Sequence, residues 1–154
     1  MPKIYITCDH AGFNLKNQLI KELIKVNILL TDLVNIFDKD DDYTDNAKLL
    51  AFEIKNDIDL GQHSVGIAIC GSGQGICIAL NRFAFIRASQ PRTSLESIKT
   101  REHNNSNIIC FGSNTMPVNE LVEIIQVFVI SPFCQDLRHQ RRIDKMTDES
   151  YIKI

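Results

Sequence analysis

Short apolar runs alternate with longer amphipathic stretches along the chain. Residues 3–8, 28–34, 65–69, 83–88 and 108–112 form runs of about strand length, and most are followed closely by polar residues or glycine. The stretches between them place apolar residues three and four positions apart, which is typical of helices with one buried face. Because strands and helices alternate, we expect right-handed crossovers and a five-stranded parallel sheet with helices on both faces.

Residues that start or stop helices delimit the amphipathic stretches. The first helix has an apolar stripe with charged residues opposite it, and Asn27 ends it; the stripe is Leu15, Leu19, Ile20, Leu23 and Ile24, and the opposite face is Lys16, Lys21, Glu22 and Lys25. Thr44 or Asp45 caps a second helix that ends at 59–61. The remaining predicted helices run from the glycine turn to about Arg82, from Pro91 in the first turn to about Glu102, from Pro117 to Pro132, and from about Leu137 within the tail 134–154.

The composition narrows the class of protein. The 154 residues are 44% hydrophobic and 23% charged, which suits a single domain over residues 1–154. A net charge of −2 argues against a nucleic-acid partner. No apolar run reaches the length of about 18 residues that a membrane span needs, and the start of the chain has no signal pattern. Because the five cysteines include no CxxC pair, we expect reduced thiols and a cytoplasmic protein.

The most informative stretch is 65–76, where an apolar run ends at Cys70 and glycines follow at alternate positions, Gly71, Gly73 and Gly75. A strand, a glycine turn and a helix start direct backbone N–H groups at an anion. The spacing is neither the dinucleotide GxGxxG nor a P-loop, and no lysine follows. Cys70 is then a candidate thiolate base facing an enolate. The alternative is a tight turn with a buried structural cysteine.

Three predicted strands end in residues that can carry chemistry, and parallel strands bring such ends to one edge of a sheet. Asp9 and His10 follow the first strand, 70–75 follow the third, and 112–114 follow the fifth. The acidic stretch 38–45 lacks the central glycine and the final glutamate of a calcium loop, so we interpret it as solvated. Tyr43, near its end, is the residue to follow there.

A basic stretch near the end of the chain offers a second set of candidates. Arg138 and Arg142 are four residues apart, so on a helix they share a face. Two guanidinium groups on one face suit a phosphate dianion, and a solvated helix face is the alternative. To reach the predicted sheet edge, the segment 134–154 must fold back or contact a neighbouring subunit. His103 ends the fourth helix, where its simplest role is to complement the helix C-terminus.

Taken together, these motifs resemble those of the type B ribose-5-phosphate isomerases and the related galactose-6-phosphate isomerase subunits over nearly the whole chain. The segments that carry the resemblance are 8–13, 15–16, 70–75, 79–82, 86–88, 101–104, 107, 111–112 and 138–142. The resemblance implies a Rossmann-like three-layer sandwich, no cofactor and no metal. It also implies a homodimer or homotetramer whose sites are shared between two chains.

The resemblance implies catalytic roles for four residues. Cys70 matches the base that moves a proton between C1 and C2, and the loop with Gly71, Gly73 and Gly75 would hold the cis-enediolate through N–H groups. Ser72 supplies a hydroxyl where the family commonly has threonine. His103 matches the residue that opens the furanose ring, and Asp9 matches a contact to the sugar hydroxyls.

The resemblance also implies substrate-binding roles. His10, Arg138 and Arg142 match the phosphate ligands, and Asn104 accompanies the ring-opening histidine from the partner subunit. Some members use a glutamate base at the position of Gln74, whose amide cannot take a proton here, so Cys70 is the better candidate.

Three positions depart from the family pattern. Asn114 stands where an arginine is common, so one phosphate cation is missing and substrate choice is in question. Tyr43 is followed by threonine where proline is frequent, and it remains a candidate substrate contact. Phe85 replaces a usual glycine, which we interpret as a packing change.

The sequence therefore predicts a ribose-5-phosphate isomerase of the non-oxidative pentose phosphate pathway. Isomerisation of a six-carbon sugar phosphate, allose 6-phosphate or galactose 6-phosphate, is the nearest alternative, because pocket depth is not readable from the sequence. A sugar-phosphate-binding protein without catalysis is a further alternative. A flavin- or nucleotide-binding domain lacks a sequence fingerprint.

Overall fold

The computed structural model describes residues 1–148 as a central sheet between two layers of helices. The sheet is parallel with the order β2-β1-β3-β5-β4, and its strands are β1 (Lys3–Cys8), β2 (Thr31–Asp32), β3 (Ser64–Cys70), β4 (Ala88–Ser89) and β5 (Ile108–Gly112). The helices described are α1 (Phe13–Lys25), α2 (Tyr43–Asp59), α3 (Gln74–Leu80), α4 (Ser94–Asn104), α5 (Val118–Ile130) and α6 (Leu137–Thr147). The predicted α/β fold class is confirmed.

Each face of the sheet buries its own apolar cluster, because side chains of a strand alternate between the two faces. On one face Ile67 and Phe111 share a cluster with residues of α1 and α5. On the other face Ala68 and Cys110 share a cluster with residues of α2 and α3. Every residue of β3 is buried, as expected for the central strand of a sheet that is covered on both faces.

The two edge strands differ most from the prediction. β2 occupies two residues of the predicted run 28–34, and β4 begins only at the end of the predicted run 83–88. Residues before β4 form a turn instead, in which the Ile86 N–H donates to the Phe83 carbonyl. Asn81 then holds the start of β4, since its side chain bonds both the N–H and the carbonyl of Ala88 at 2.9 Å.

Two helix starts also differ from the prediction. α2 begins at Tyr43, so Asp42 is its N-cap rather than Thr44 or Asp45. α4 begins at Ser94, because Thr93 Oγ1 accepts a hydrogen bond from the Glu96 N–H at 3.1 Å and caps the helix. Pro91 therefore precedes α4 instead of lying in its first turn, and α4 continues past the predicted end to Asn104.

The prediction of the buried face of α1 is wrong at two residues. The sequence predicts Lys16 on the solvent side, but the structure buries it completely, with Nζ donating to Asp32 and 4.8 Å from the Phe13 ring centroid. The long side chain reaches a carboxylate on β2, so its charge is paired inside the fold. Ile24, predicted in the apolar stripe, is half exposed.

The predicted C-terminal helix is confirmed, and it packs on α4 of its own chain. The Cys134 N–H donates to the Glu102 carbonyl at 3.2 Å. The His139 ring stacks on the His103 ring with 4.4 Å between centroids and 8° between planes. Residues 149–154 of the predicted tail lie outside the described residues.

Candidate active site

Cys70 ends β3 at the carboxyl edge of the sheet, and its side chain lies in the cluster under α2 and α3. The thiol is almost completely buried. The Gly73 N–H donates to Cys70 Sγ at 3.1 Å. Gly73 is also the N-cap of α3 and has a φ of +78°, a left-handed conformation that favours glycine. The thiol therefore lies at the start of α3 and accepts the N–H of its N-cap residue.

The end of β5 supports the glycine loop from the other side. The Ser113 N–H donates to the carbonyls of Cys70 and Gly71 at 2.9 and 3.1 Å. Within the loop, the Gln74 N–H donates to Ser72 Oγ at 3.3 Å. A Cβ at Gly73 would lie 2.6 Å from the Phe111 carbonyl carbon, so no larger residue fits between the loop and β5. These contacts fix the backbone around the thiol.

Tyr43 lies against the same loop. A Cβ at Gly75 would come within 2.8 Å of Tyr43 Cζ, which means that the aromatic ring packs directly on the Gly75 backbone. The tyrosine is about one-third exposed and opens α2. The structure thus brings Tyr43 to the glycine loop. The sequence pattern alone had given no role to this tyrosine.

Asp9 occupies the turn after β1, next to the end of β3. Its N–H donates to the Ile69 carbonyl at 3.1 Å, and Oδ1 accepts from the Gly12 N–H at 3.0 Å. Burial raises the pKa of the Asp9 carboxyl above its usual value, while the Gly12 N–H opposes the rise. The carboxylate is therefore a fixed acceptor at the carboxyl edge of the sheet.

His10 is held by Asp41 of the acidic stretch 38–45, a contact that no pattern in the sequence predicts. The His10 N–H donates to Asp41 Oδ1 at 2.7 Å, and His10 Nδ1 lies 3.1 Å from both Oδ1 and the carbonyl of Asp41. Asn46 Nδ2 donates to the other carboxylate oxygen at 3.0 Å. The Asp41 carbonyl and carboxylate raise the pKa of His10. Nothing in the run of aspartates marks Asp41 as the one that turns inward.

His103 and Asn104 lie at the opposite edge of the sheet, where the parallel strands begin. They end α4, four residues before β5 begins at Ile108. In the sheet Ile108 is level with Gly66, and Gly112 is level with Cys70. Four steps along a strand amount to roughly 13 Å, so one chain does not bring these residues to its own Cys70.

Arg138 and Arg142 lie on the same side of the sheet as His103 and Asn104, because α6 packs on α4. Both arginines are exposed, and Arg138 Nε is 3.1 Å from Asp136 Oδ2. The stacked His139 is buried, and this burial lowers its pKa. Residues 134–148, the described part of the tail, therefore do not fold back over the glycine loop of their own chain. We call His103, Asn104, Arg138 and Arg142 the amino-edge group, and Asp9, His10, Tyr43 and residues 70–75 the carboxyl-edge group.

Other cysteines have different surroundings. Burial raises the pKa of the Cys8 thiol to about 12, and it raises that of Cys110 well above its usual value.

Within residues 1–148, no group of three or more His, Cys, Asp or Glu side chains is arranged to hold a metal ion. None of the described helices combines the length and apolar character needed to cross a membrane.

Comparison with known proteins gives matches over nearly the full chain. A family model described as Ribose/Galactose Isomerase matches residues 4–146. A Mycoplasma genitalium protein named probable ribose-5-phosphate isomerase B is 35% identical over 144 residues, covering 93% of this chain and 92% of that protein. Ribose-5-phosphate isomerase B of Escherichia coli is 33% identical over 147 residues, covering 96% and 95% of the two chains.

Solved structures agree with the sequence matches. The M. genitalium ribose-5-phosphate isomerase B with bound ribulose-5-phosphate is similar with a TM-score of 0.84 at 35% identity, covering 98% of this chain and 96% of that one. The Leishmania infantum type B ribose 5-phosphate isomerase gives a TM-score of 0.88 at 27% identity, with both chains fully covered.

Proposed function

Because this chain belongs to the ribose/galactose isomerase family, we propose that it interconverts ribose 5-phosphate and ribulose 5-phosphate through a cis-enediolate. The names of the relatives in M. genitalium and E. coli support this substrate, as does the relative with ribulose-5-phosphate bound. The reaction belongs to the non-oxidative pentose phosphate pathway of the cytoplasm, and it requires no cofactor or metal.

The observation that carries the proposal is the Gly73 N–H donated to Cys70 Sγ at 3.1 Å. A donor at this distance stabilises a thiolate more than a thiol. The thiolate takes the proton from C2 of the open-chain aldose, and the electron pair passes into the enediolate. The thiol then returns the proton to C1 while the hydroxyl proton passes from the C2 oxygen to the C1 oxygen. This gives the ketose, and the sugar is isomerised with no net gain or loss of electrons.

The remaining carboxyl-edge group surrounds the reacting carbons. Backbone N–H groups of the loop 71–75, other than those of Gly73 and Gln74 that are donated to Cys70 and Ser72, stabilise the enediolate oxygen as it gains charge. The Ser72 hydroxyl is exposed beside the loop, and the fixed Asp9 carboxylate accepts hydrogen bonds from the sugar hydroxyls. Tyr43 forms the wall of the site against Gly75.

The amino-edge group acts on the site of a second copy of the chain. We place His103 of one chain over the Cys70 of its partner, where it opens the furanose ring, with Asn104 beside it. The roughly 13 Å between the two sheet edges supports this arrangement, since a pentose phosphate cannot bridge the two groups within one chain. A twofold dimer then contains two equivalent sites, each built from both chains.

The phosphate dianion is bound by His10 of one chain and by Arg138 and Arg142 of the other. Asp41 raises the pKa of His10, which keeps its imidazolium form to a higher pH and so strengthens its attraction for phosphate. Burial and the neighbouring His103 lower the pKa of the stacked His139, which favours its uncharged ring, and the stack holds the His103 ring in place.

A six-carbon sugar phosphate is the second candidate substrate. Asn114 follows β5 as an exposed neutral residue at the carboxyl edge, so this position contributes no cation for the phosphate. A neutral residue here holds the phosphate less firmly, so the distance from the phosphate to Cys70 is less strictly set to the length of a pentose.

The test is isomerisation by the purified chain on ribose 5-phosphate and allose 6-phosphate, side by side. We expect faster turnover of the pentose, and we expect Cys70→Ser to lower kcat by about a hundredfold or more, the usual contribution of a general base. Cys8→Ala, which changes a buried thiol under the other face, is the control and keeps its turnover. Full activity of Cys70→Ser would reject Cys70 as the base, and inactivity on both sugars would favour a binding protein.

A further inference from the structure

One peptide group links the Cys70 thiol to a residue outside the site described above. The Ser72–Gly73 peptide donates its N–H to Cys70 Sγ at 3.1 Å, and its carbonyl accepts from Gln90 Nε2 at 2.9 Å. In a trans peptide these two groups point in opposite directions and cannot rotate separately. A side chain that holds the carbonyl therefore also sets the direction of the N–H.

Glycine at position 73 makes this peptide easy to turn. A residue with φ near +78° becomes one with negative φ when the preceding peptide rotates, and only glycine accepts both conformations readily. Rotation would remove the N–H from the thiol and turn the Ser72 carbonyl towards it. An oxygen with a partial negative charge at this place would favour the thiol over the thiolate.

Gln90 is placed to prevent that rotation. It follows β4 and precedes the buried Pro91, and a residue before proline is restricted to extended backbone. Its amide packs on the loop, since a Cβ at Gly73 would lie 2.5 Å from Nε2. The Ser72 carbonyl can only accept, so it selects the NH₂ end of the amide.

The oxygen end of the Gln90 amide makes no comparable contact among the described residues. Gln90 Oε1 is buried and has no hydrogen-bond partner among residues 1–148. Burying an unsatisfied acceptor costs stability. An apolar side chain of the same length would fill this space without that cost, so the bond to Ser72 is what the amide provides.

We propose that Gln90 is a positioning residue for the general base, holding the Ser72–Gly73 peptide so that its N–H points at Cys70. The catalytic consequence rests on the proposed isomerase function, but the effect on the thiol does not. Gln90→Met keeps the length of the side chain and removes its donor. Gln90→Glu keeps its shape and replaces the donor with an acceptor.

The test measures the thiol and the turnover separately. The rate of Cys70 alkylation by iodoacetamide is followed by mass spectrometry of the Cys70 peptide, and kcat and KM are measured on ribose 5-phosphate. In both Gln90 variants we expect alkylation at about pH 7 to slow by about three- to tenfold, the factor for weakening one hydrogen bond to the thiolate. At strongly alkaline pH the rates converge with the wild type, because thiolate then forms without help. We expect kcat to fall by a similar factor, with KM within about twofold.

Ser89→Ala is the matched control. It removes a hydrogen bond between the adjacent Ser89 and Ser106 hydroxyls without touching the glycine loop. We expect this variant to lose some thermal stability and to keep the wild-type alkylation rate. The proposal is overturned if both Gln90 variants alkylate at the wild-type rate near neutral pH, or if their rates change equally at every pH, which would indicate altered access. If the wild type itself does not turn over ribose 5-phosphate, the proposed isomerase function is rejected. The comparison of Cys70 alkylation rates remains valid in that case.

Discussion

Substituting Gly73 by alanine tests whether the glycine loop is held as tightly as the structure indicates. A non-glycine residue in the left-handed region costs about 1–2 kcal/mol. The new Cβ would also lie 2.5 Å from Gln90 Nε2 and 2.6 Å from the Phe111 carbonyl carbon. Forcing a methyl group into such a space costs about 1–3 kcal/mol more. We therefore expect Gly73→Ala to lower the free energy of unfolding by about 2–5 kcal/mol.

Gly61 provides a control for the conformational part of this cost. It has a similar φ of +68°, but a Cβ there would meet no atom within 4 Å. Gly61→Ala should therefore lose only the conformational part, about 1–2 kcal/mol. Urea unfolding followed by far-ultraviolet circular dichroism gives both values on one scale. Equal losses in the two variants would refute the steric argument and mean that the loop has room to move.

Three further predictions concern the site. Asp41→Asn should lower the pKa of His10 and raise KM for the sugar phosphate at about pH 7, measured by NMR titration and steady-state kinetics; an unchanged His10 titration would contradict the assignment. Asp41 raises the pKa of His10 in the folded state. The stabilisation from this pair is therefore complete at pH values below the His10 pKa of the unfolded chain, and it is lost as the pH rises through the His10 pKa of the folded chain. Arg142→Ala should raise KM about tenfold or more, because a charge-assisted bond to phosphate contributes about 1.5–3 kcal/mol; an unchanged KM would put the phosphate elsewhere. Alkylation of Cys70 should inactivate the enzyme, with substrate protecting it, while Cys8, whose pKa burial raises to about 12, stays unmodified at about pH 8. Modified Cys70 with full activity would reject its catalytic role.

The central strands could be predicted from the sequence, as could the position of Asp9, His10 and residues 70–75 at their carboxyl ends. β1, β3 and β5 are buried on both faces, so their apolar runs are continuous and their ends are clear. The glycine pattern after β3 is equally direct, because Gly73 needs its positive φ and close contacts to β5.

Edge strands and long-range side-chain contacts could not be predicted in the same way. β4 pairs on one side only, so hydrogen bonds from Asn81 decide where it starts. Lys16 looks like a surface residue until its partner Asp32 is located on a neighbouring strand. Asp41 and Gln90 act on residues 31 and 18 positions away, and no local pattern marks either contact.

Mixing two inactive variants tests the central claim that each isomerase site combines Cys70 of one chain with His103 of its partner. Cys70→Ala and His103→Ala should each be nearly inactive alone on ribose 5-phosphate. After they are mixed equally and their subunits exchange, half of the dimers should be mixed, and each of these contains one intact site. We predict that the mixture recovers about a quarter of the wild-type activity. A mixture no more active than the separate variants, under conditions where exchange is verified, would contradict a site built from two chains.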